Sequence, residues 1–410
     1  MTEALPAARS REAAAELDAA DPLREFRERF IIDHRVIYLD GNSLGALPQA
    51  STERLARLVA QWGERGVRGW DEGWLELPLE IGDRLGSAAL GAAPGQVVIG
   101  DSTTVCFYKL ACAALDARPG RTRILTDLDN FPTDRYVLEG LAEQRGLELV
   151  WLAGDPFAGP DPDAMAGHLD DRTALVSFSH VSYRSAHIAD MARINALAHD
   201  AGALVLWDLS HSAGSVPLAL DADGTDLAVG CTYKYLNGGP GAPAYMYVRR
   251  DRQPELRQPI WGWLGRRDPF EMAPGYEPAA GMRRFLSGTP PILGLVAVDE
   301  GVRIVAEAGI GPIRGKGITL TELAIGLADA RLAPLGVSVA SPRDAAWRGA
   351  HVALAHPRAR ELCARLIEAG VIPDFRRPDV IRFGFSPLTT RFVDAWDGIA
   401  ALNDALADFL

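Results

Sequence analysis

The chain has 410 residues, 48% of them hydrophobic and 23% charged, which is enough to bury a large core and long enough for two domains. A formal net charge of −12 and the lack of any basic run of five argue against nucleic acid as a partner. Cys106, Cys112, Cys231 and Cys363 show neither metal-ligand spacing nor a disulfide framework, so they read as small buried thiols in a reducing compartment, and no metal is expected.

Residues 1–20 alternate alanine with charge and lack the apolar centre of a signal peptide. No apolar stretch approaches the roughly 18 residues of a membrane span, so a cytoplasmic protein without a membrane partner is expected. Residues 11–30 carry the pattern of an amphipathic helix. Val36-Ile-Tyr-Leu-Asp40 reads as a short strand stopped by Gly41-Asn-Ser-Leu-Gly45, and residues 49–66 return to helix. Apolar runs at 96–99, 122–126, 148–152, 174–179, 203–208, 227–231 and 244–248 then alternate with helical periodicity at 104–115, 134–144 and 190–200. This predicts an α/β fold with a large, mostly parallel seven-stranded sheet covered by helices on both faces. Ligands bind at the carboxyl ends of such strands, where Ser179 and Asp208 fall. After Pro290-Pro291 the pattern becomes helix at 292–308 and 315–332, then strands at 337–340, 350–355 and 380–385, a smaller α+β C-terminal domain. The expected division is therefore 61–289 for the large domain and 290–410 for the small one, with residues 1–60 packing against the latter.

The chemistry is concentrated in Leu206-Trp-Asp-Leu-Ser-His211 and Gly230-Cys-Thr-Tyr-Lys-Tyr-Leu-Asn-Gly-Gly-Pro-Gly241. An acid ending an apolar run, followed 26 residues later by a lysine in a short strand beside a glycine-rich turn, suits pyridoxal 5'-phosphate (PLP). Lys234 would hold the aldehyde as a Schiff base, and Asp208 would keep the pyridine nitrogen protonated. Tyr233 precedes Lys234, so both reach one ligand only if the chain bends there. Gly100-Asp-Ser-Thr-Thr-Val105 sits between strand and helix and presents Thr103 and Thr104 at a helix N-terminus suited to a phosphate. In Asp129-Asn-Phe-Pro-Thr-Asp134, Phe131 can stack on a flat ring while Asp134 bonds its rim. The polar end of Ser177-Phe-Ser-His-Val-Ser-Tyr-Arg-Ser185 can bond a ring oxygen. Arg382, between apolar neighbours in Val380-Ile-Arg-Phe-Gly-Phe385, needs a partner: a substrate carboxylate gripped at two points, or a buried structural acid.

Together these stretches, with Tyr38-Leu-Asp-Gly-Asn-Ser-Leu-Gly45, Trp261-Gly-Trp and Arg283-Arg-Phe-Leu-Ser-Gly-Thr-Pro-Pro291, resemble the kynureninases, PLP-dependent fold-type-I enzymes of the class V aminotransferase superfamily, from about residue 24 to the C-terminus. The resemblance implies hydrolysis of L-kynurenine, or its 3-hydroxy analogue, to the anthranilate and L-alanine in tryptophan degradation. It implies catalytic Lys234, Asp208 and Tyr233. Thr103, Thr104 and Tyr233 would hold the phosphate, Phe131 would stack on the ring, and Asp134, Ser179 and His211 would complete the surroundings. Trp263 and Thr289 would reach the cofactor from the second subunit of a homodimer. Asn42, Trp70 and Arg382 would bind substrate. Two positions depart from bacterial relatives: Ala186 stands where glycine is common, and His187 where arginine is usual. The rival readings are a cysteine desulfurase or lyase, which needs a cysteine on a mobile loop, and a catalytically silent PLP-binding regulator, which needs a further DNA-binding or sensor domain.

Overall fold

A computed structural model describes residues 10–407. Strands of its two main sheets are numbered β1–β11 in chain order. The larger sheet holds β1 (Val97–Ile99), β2 (Arg123–Asp127), β3 (Glu148–Leu152), β4 (Thr173–Ser179), β5 (Leu204–Asp208), β6 (Leu227–Gly230) and β7 (Tyr245–Val248) in the order β1-β7-β6-β5-β4-β2-β3. Only β7 runs against its neighbours β1 and β6; the other pairs are parallel. The apolar runs are continuous because both faces are covered. Val205, Trp207, Tyr245 and Tyr247 enter a core shared with helices Leu77–Leu85, Met191–Asp200 and Ile292–Ala308. Leu204, Leu206, Val229 and Met246 enter another, shared with helices Thr103–Asp116 and Pro132–Arg145.

The second sheet is antiparallel, with β8 (Ser338–Val339), β9 (His351–Ala355), β10 (Asp374–Arg376) and β11 (Val380–Gly384) in the order β8-β9-β11-β10. Helices Ile310–Leu327, Ala359–Glu368 and Phe392–Ala407 build its core, which Ala14 of helix Arg11–Ala20 also enters. Ile37–Tyr38 pairs in parallel with Val371–Ile372, and Asp40 bridges to Gly384. Helix Gln49–Arg65 instead reaches Ile292–Ala308: Arg54 bonds Asp299 and Glu300. We propose that Ile292–Ala308, whose Leu295, Val298 and Val302 lie in the core of the large sheet, is the connection between the two bodies.

Two expectations change. The helix expected over 11–30 stops at Ala20, and a short 3-10 turn, Arg24–Arg29, follows, with Leu23 N–H bonded to the Asp21 carboxylate. Lys234 is not in a strand. β6 ends at Gly230, and residues 231–236 form bends and a turn in which Asn237 N–H and Gly238 N–H donate to the carbonyls of Lys234 and Thr232. The chain bends where Tyr233 and Lys234 need it to.

Candidate active site

β4 and β5 lie in register with Ser179 opposite Asp208, so the carboxyl end of the sheet presents both. Asp208 is buried, and its Oδ1 accepts from Ser210 N–H at 2.8 Å. Pro132 opens helix Pro132–Arg145, its preset φ and missing N–H being harmless at the first position. That places Asp134 in the first turn, buried, with its carboxyl facing Asp208. Asp134 Oδ2 has no hydrogen-bond partner. Burial, and then the Asp208 charge, hold the Asp134 carboxyl well above the usual carboxylate range.

Lys234 is also buried, with Nζ 5.8 Å from the Phe131 ring centre. Asn130, which the sequence reading passed over, fixes this corner. Its Oδ1 accepts from Phe131 N–H and Ser179 Oγ, both at 2.8 Å, and its Nδ2 donates to Thr126 Oγ1 at 3.1 Å. Tyr183 stands edge-on to Phe131 at 5.5 Å. Tyr233 is half-buried, and burial followed by the neighbouring Cys231 push its hydroxyl pKa up, so that it stays a neutral donor at ordinary pH. Its carbonyl accepts from Gly45 N–H at 2.7 Å; a Cβ on Gly45 would lie 2.2 Å from the Lys234 carbonyl, so only glycine lets the N-terminal turn seat here.

Two imidazoles complete the chamber. His211 is buried, with an unpartnered Nδ1, and stands 5.7 Å from His351, whose two ring nitrogens are both buried without a partner. Burial keeps both rings neutral: His211 is driven well below the ordinary histidine range, and His351 to about 3. His180, quoted only as part of a motif, bonds Ser212 Oγ at 2.9 Å.

Thr103 and Thr104 open helix Thr103–Asp116 after an N-cap in which Ser102 Oγ accepts from Val105 N–H. The first-turn amides of Thr103 and Thr104 lack intrahelical partners. Lys109, fully buried and unremarked in the sequence, holds this loop by donating to Asp101 and to the Phe285 carbonyl.

Arg382 is fully buried on β11, directly opposite Asp374 on β10. Its Nε donates to Asp374 Oδ1 at 2.6 Å, its Nη2 to Asp374 Oδ2, and its Nη1 to the Tyr183 carbonyl. Asn42, with its amide turned to suit its neighbours, donates to Asp40 Oδ1 at 3.3 Å and accepts from Arg382 Nη2 at 3.1 Å. Gly384 leaves the space for it, since a Cβ there would collide with the Asn42 amide. The partner that Arg382 required is thus present within the chain.

Three further candidate residues are held by other neighbours. Trp70 meets Trp74 edge-on at 5.3 Å and lines a surface groove of about 370 Å³ with Leu58, Trp62, Pro290 and Leu293. Trp263 packs on Phe270, and Thr289 is exposed. Ala186 adopts φ 67°, the left-handed region that favours glycine, and His187 stacks on Trp347. Hairpin symmetry about Pro378 could have identified Asp374, whereas nothing local marks Tyr183 or His351.

Residues 88–348 match the family model for aminotransferase class-V, and residues 313–402 match that for the kynureninase C-terminal domain. A kynureninase of Burkholderia pseudomallei (strain 1106a) is 44% identical over 406 residues, covering 97% of this chain and 96% of that one. A kynureninase of Pseudomonas fluorescens is 41% identical over 398 residues, covering 95% and 94%. Among solved structures, the apo cysteine desulfurase of Thermococcus onnurineus NA1 superposes with a TM-score of 0.82 over 94% of this chain and 98% of that one, at 19% identity, a likeness of fold.

Proposed function

From the premise that the chain belongs to the kynureninase family, we propose that it hydrolyses the Cβ–Cγ bond of L-kynurenine, releasing anthranilate and L-alanine, in the cytoplasm. The fold is that of fold-type-I PLP enzymes, and the cofactor is pyridoxal 5'-phosphate. The residues fit it: a buried acid pair with an orphaned oxygen matches a pyridinium N–H, a helix N-terminus matches a phosphate, and a buried lysine lies over an aromatic face.

When bound, the cofactor supplies an aldehyde that condenses with amines and a ring that accepts electrons from the substrate's α-carbon. Lys234 would hold that aldehyde, and its buried amine is placed to take the substrate's α-proton. Asp208, with Asp134 against it, keeps a proton at the ring nitrogen. Phe131 would cover the ring, Ser179 and His211 would serve its rim, and Thr103, Thr104 and Tyr233 would hold the phosphate. Asn42 and Arg382 would take the α-carboxylate, and the resemblance assigns Trp70, which lines the groove beside Pro290, to the aryl group. The Tyr233 hydroxyl passes protons to and from the γ-carbonyl as water adds there.

The observation that carries this reading is the buried Lys234 beside the Asp134–Asp208 pair, in a chain whose relatives at 41–44% identity are kynureninases. A desulfurase reading is disfavoured because all four cysteines are buried, and burial pushes the Cys231 and Cys363 thiols up, away from the reactive thiolate. Purified protein with PLP is expected to release anthranilate fluorescence from L-kynurenine; release of sulfide from cysteine without anthranilate would reverse the choice. Between kynurenine and its 3-hydroxy analogue, one hydroxyl is worth only about 1–3 kcal/mol, and the ratio of kcat/KM decides.

The likeness to kynureninases supports a homodimer whose sites are shared, with Trp263 and the exposed Thr289 reaching the partner's cofactor. Mixing Lys234→Ala chains with Trp263→Ala/Thr289→Ala chains gives about half heterodimers, each with one intact site, and so roughly a quarter of wild-type activity. A mixture no better than its parents, with subunit exchange confirmed by mass, means the two residues act within their own chain.

A further inference from the structure

The guanidinium of Arg382 has two usable edges, and the hairpin commits one of them. Of the five N–H donors of an arginine, Nε and one hydrogen of Nη2 go to the two oxygens of Asp374, a side-on fork. The second Nη2 hydrogen is shared by Ser43 Oγ at 3.3 Å and the Asn42 carbonyl at 3.1 Å. Nη1 gives one hydrogen to the Tyr183 carbonyl, which leaves the other without an acceptor among the described residues. Asp374 is itself held from two further sides, by Ser43 Oγ at 3.0 Å and by Arg376 Nη2 at 2.6 Å. An acid fixed by two arginines and a serine does not swing aside for an incoming anion.

We propose that Asp374 is a positioning residue for the substrate: by occupying the Nε–Nη2 edge of Arg382 it leaves an α-carboxylate only the side of the free Nη1 hydrogen, where the carboxylate also takes the Nη2 hydrogen that Ser43 and Asn42 share. This rests on the reading of Arg382 as the carboxylate site. The Tyr183 carbonyl fixes Nη1 from the other side, and because the Tyr183 ring touches Phe131, the orientation of Arg382 is referenced to the aromatic residue that Lys234 faces. The register makes the arrangement local: Asp374 and Arg382 are cross-strand partners in one short hairpin.

The test uses full-length protein loaded with PLP and two probes, L-alanine and L-alaninamide, whose binding is read from the change in cofactor absorbance. Wild type is expected to prefer the carboxylate by about tenfold or more. Asp374→Asn should bring that ratio close to one and raise KM for L-kynurenine by about 10–100-fold, with kcat within about threefold. Asp374→Glu keeps the charge, and with it the fold, but shifts the acid by one methylene; its ratio should fall severalfold. A wild-type ratio in either variant, or an equal loss of affinity for both probes, overturns the proposal and leaves Asp374 a structural partner only. A wild type that does not distinguish the probes overturns it together with the carboxylate reading of Arg382. A wild type that distinguishes them through Asp374, yet releases no anthranilate, sinks the proposed reaction and leaves this inference standing.

Discussion

Two buried polar clusters lie side by side in this molecule and are finished to different degrees. Around Arg382, Asp374, Ser43 and Asn42 nearly every donor has an acceptor within the chain. Around Lys234, Asp134 Oδ2 and His211 Nδ1 are buried with none, and where the two clusters meet so are both nitrogens of His351 and the Tyr235 hydroxyl. An unsatisfied buried polar atom costs about 1–3 kcal/mol, so a group of them persists where a ligand, rather than the fold, is what they are shaped for. The closed cluster sets geometry, and the open one receives the chemistry.

The sharpest way to break that contrast is to remove one residue from each. Lys234→Ala should abolish turnover, by at least ~10²–10⁴-fold, and remove the borohydride-fixed phosphopyridoxyl adduct, while the apoprotein melts near the wild-type temperature. An adduct that persists on another lysine would end the assignment. Asp208→Asn should keep the adduct and lower kcat by about 10²–10³-fold, since the ring nitrogen loses its anionic partner. Arg382→Ala, by comparison, should lower stability by up to about 3 kcal/mol as well as raise KM, because it takes from the buried Asp374 carboxylate one of its two arginine partners, leaving Arg376 and Ser43. If urea unfolding of the apoprotein separates Lys234→Ala and Arg382→Ala by less than the error of the fit, the two clusters are not different in kind.

A gentler test lies at the edge of the closed cluster. Burial, and then the charge of Asp374, raise the Asp40 carboxyl to about 6. The folded state therefore binds a proton that the unfolded chain has released, and stability falls as pH rises from about 4 through about 6. Asp40→Asn should match wild type near pH 4 and exceed it by on the order of 2 kcal/mol at pH 8. A constant difference at both pH values in denaturant titrations removes Asp40 as the cause. The smallest effect belongs to Ala186. Glycine would relieve the left-handed backbone at φ 67°, worth about 1 kcal/mol, but it deletes a buried methyl and loosens the unfolded chain by similar amounts. Ala186→Gly should thus change stability by less than about 1 kcal/mol, and a larger loss in calorimetry would mean the methyl dominates.

The large sheet was legible because strands buried on both faces cannot hide their apolar runs, and all seven expected runs became strands with ends shifted by a residue or so. The site was legible where its residues end those strands, as Ser179 and Asp208 do, or open helices, as Thr103 and Asp134 do. It was illegible where a contact joins distant segments. Asn130 holds Phe131 and Ser179 through one amide oxygen, Lys109 reaches the Phe285 carbonyl, and His351 arrives from the small domain. Lys234 is expected in a short strand beside the glycine-rich turn, but the chain leaves the sheet at Gly230 and bends through 231–236 before that turn.

The seat that Gly45 occupies against Lys234 has a consequence for how the chain is made. The turn carrying Gly45 is fixed by Ile37–Tyr38 on Val371–Ile372 and by Asp40 on Gly384, partners that leave the ribosome more than 300 residues later. Closing so long a loop adds only a few kcal/mol of entropy, so the delay is one of timing rather than of energy. During synthesis the large sheet can assemble first, with its lysine facing water, and the segment 37–45 returns to cover it only after the last hairpin has emerged.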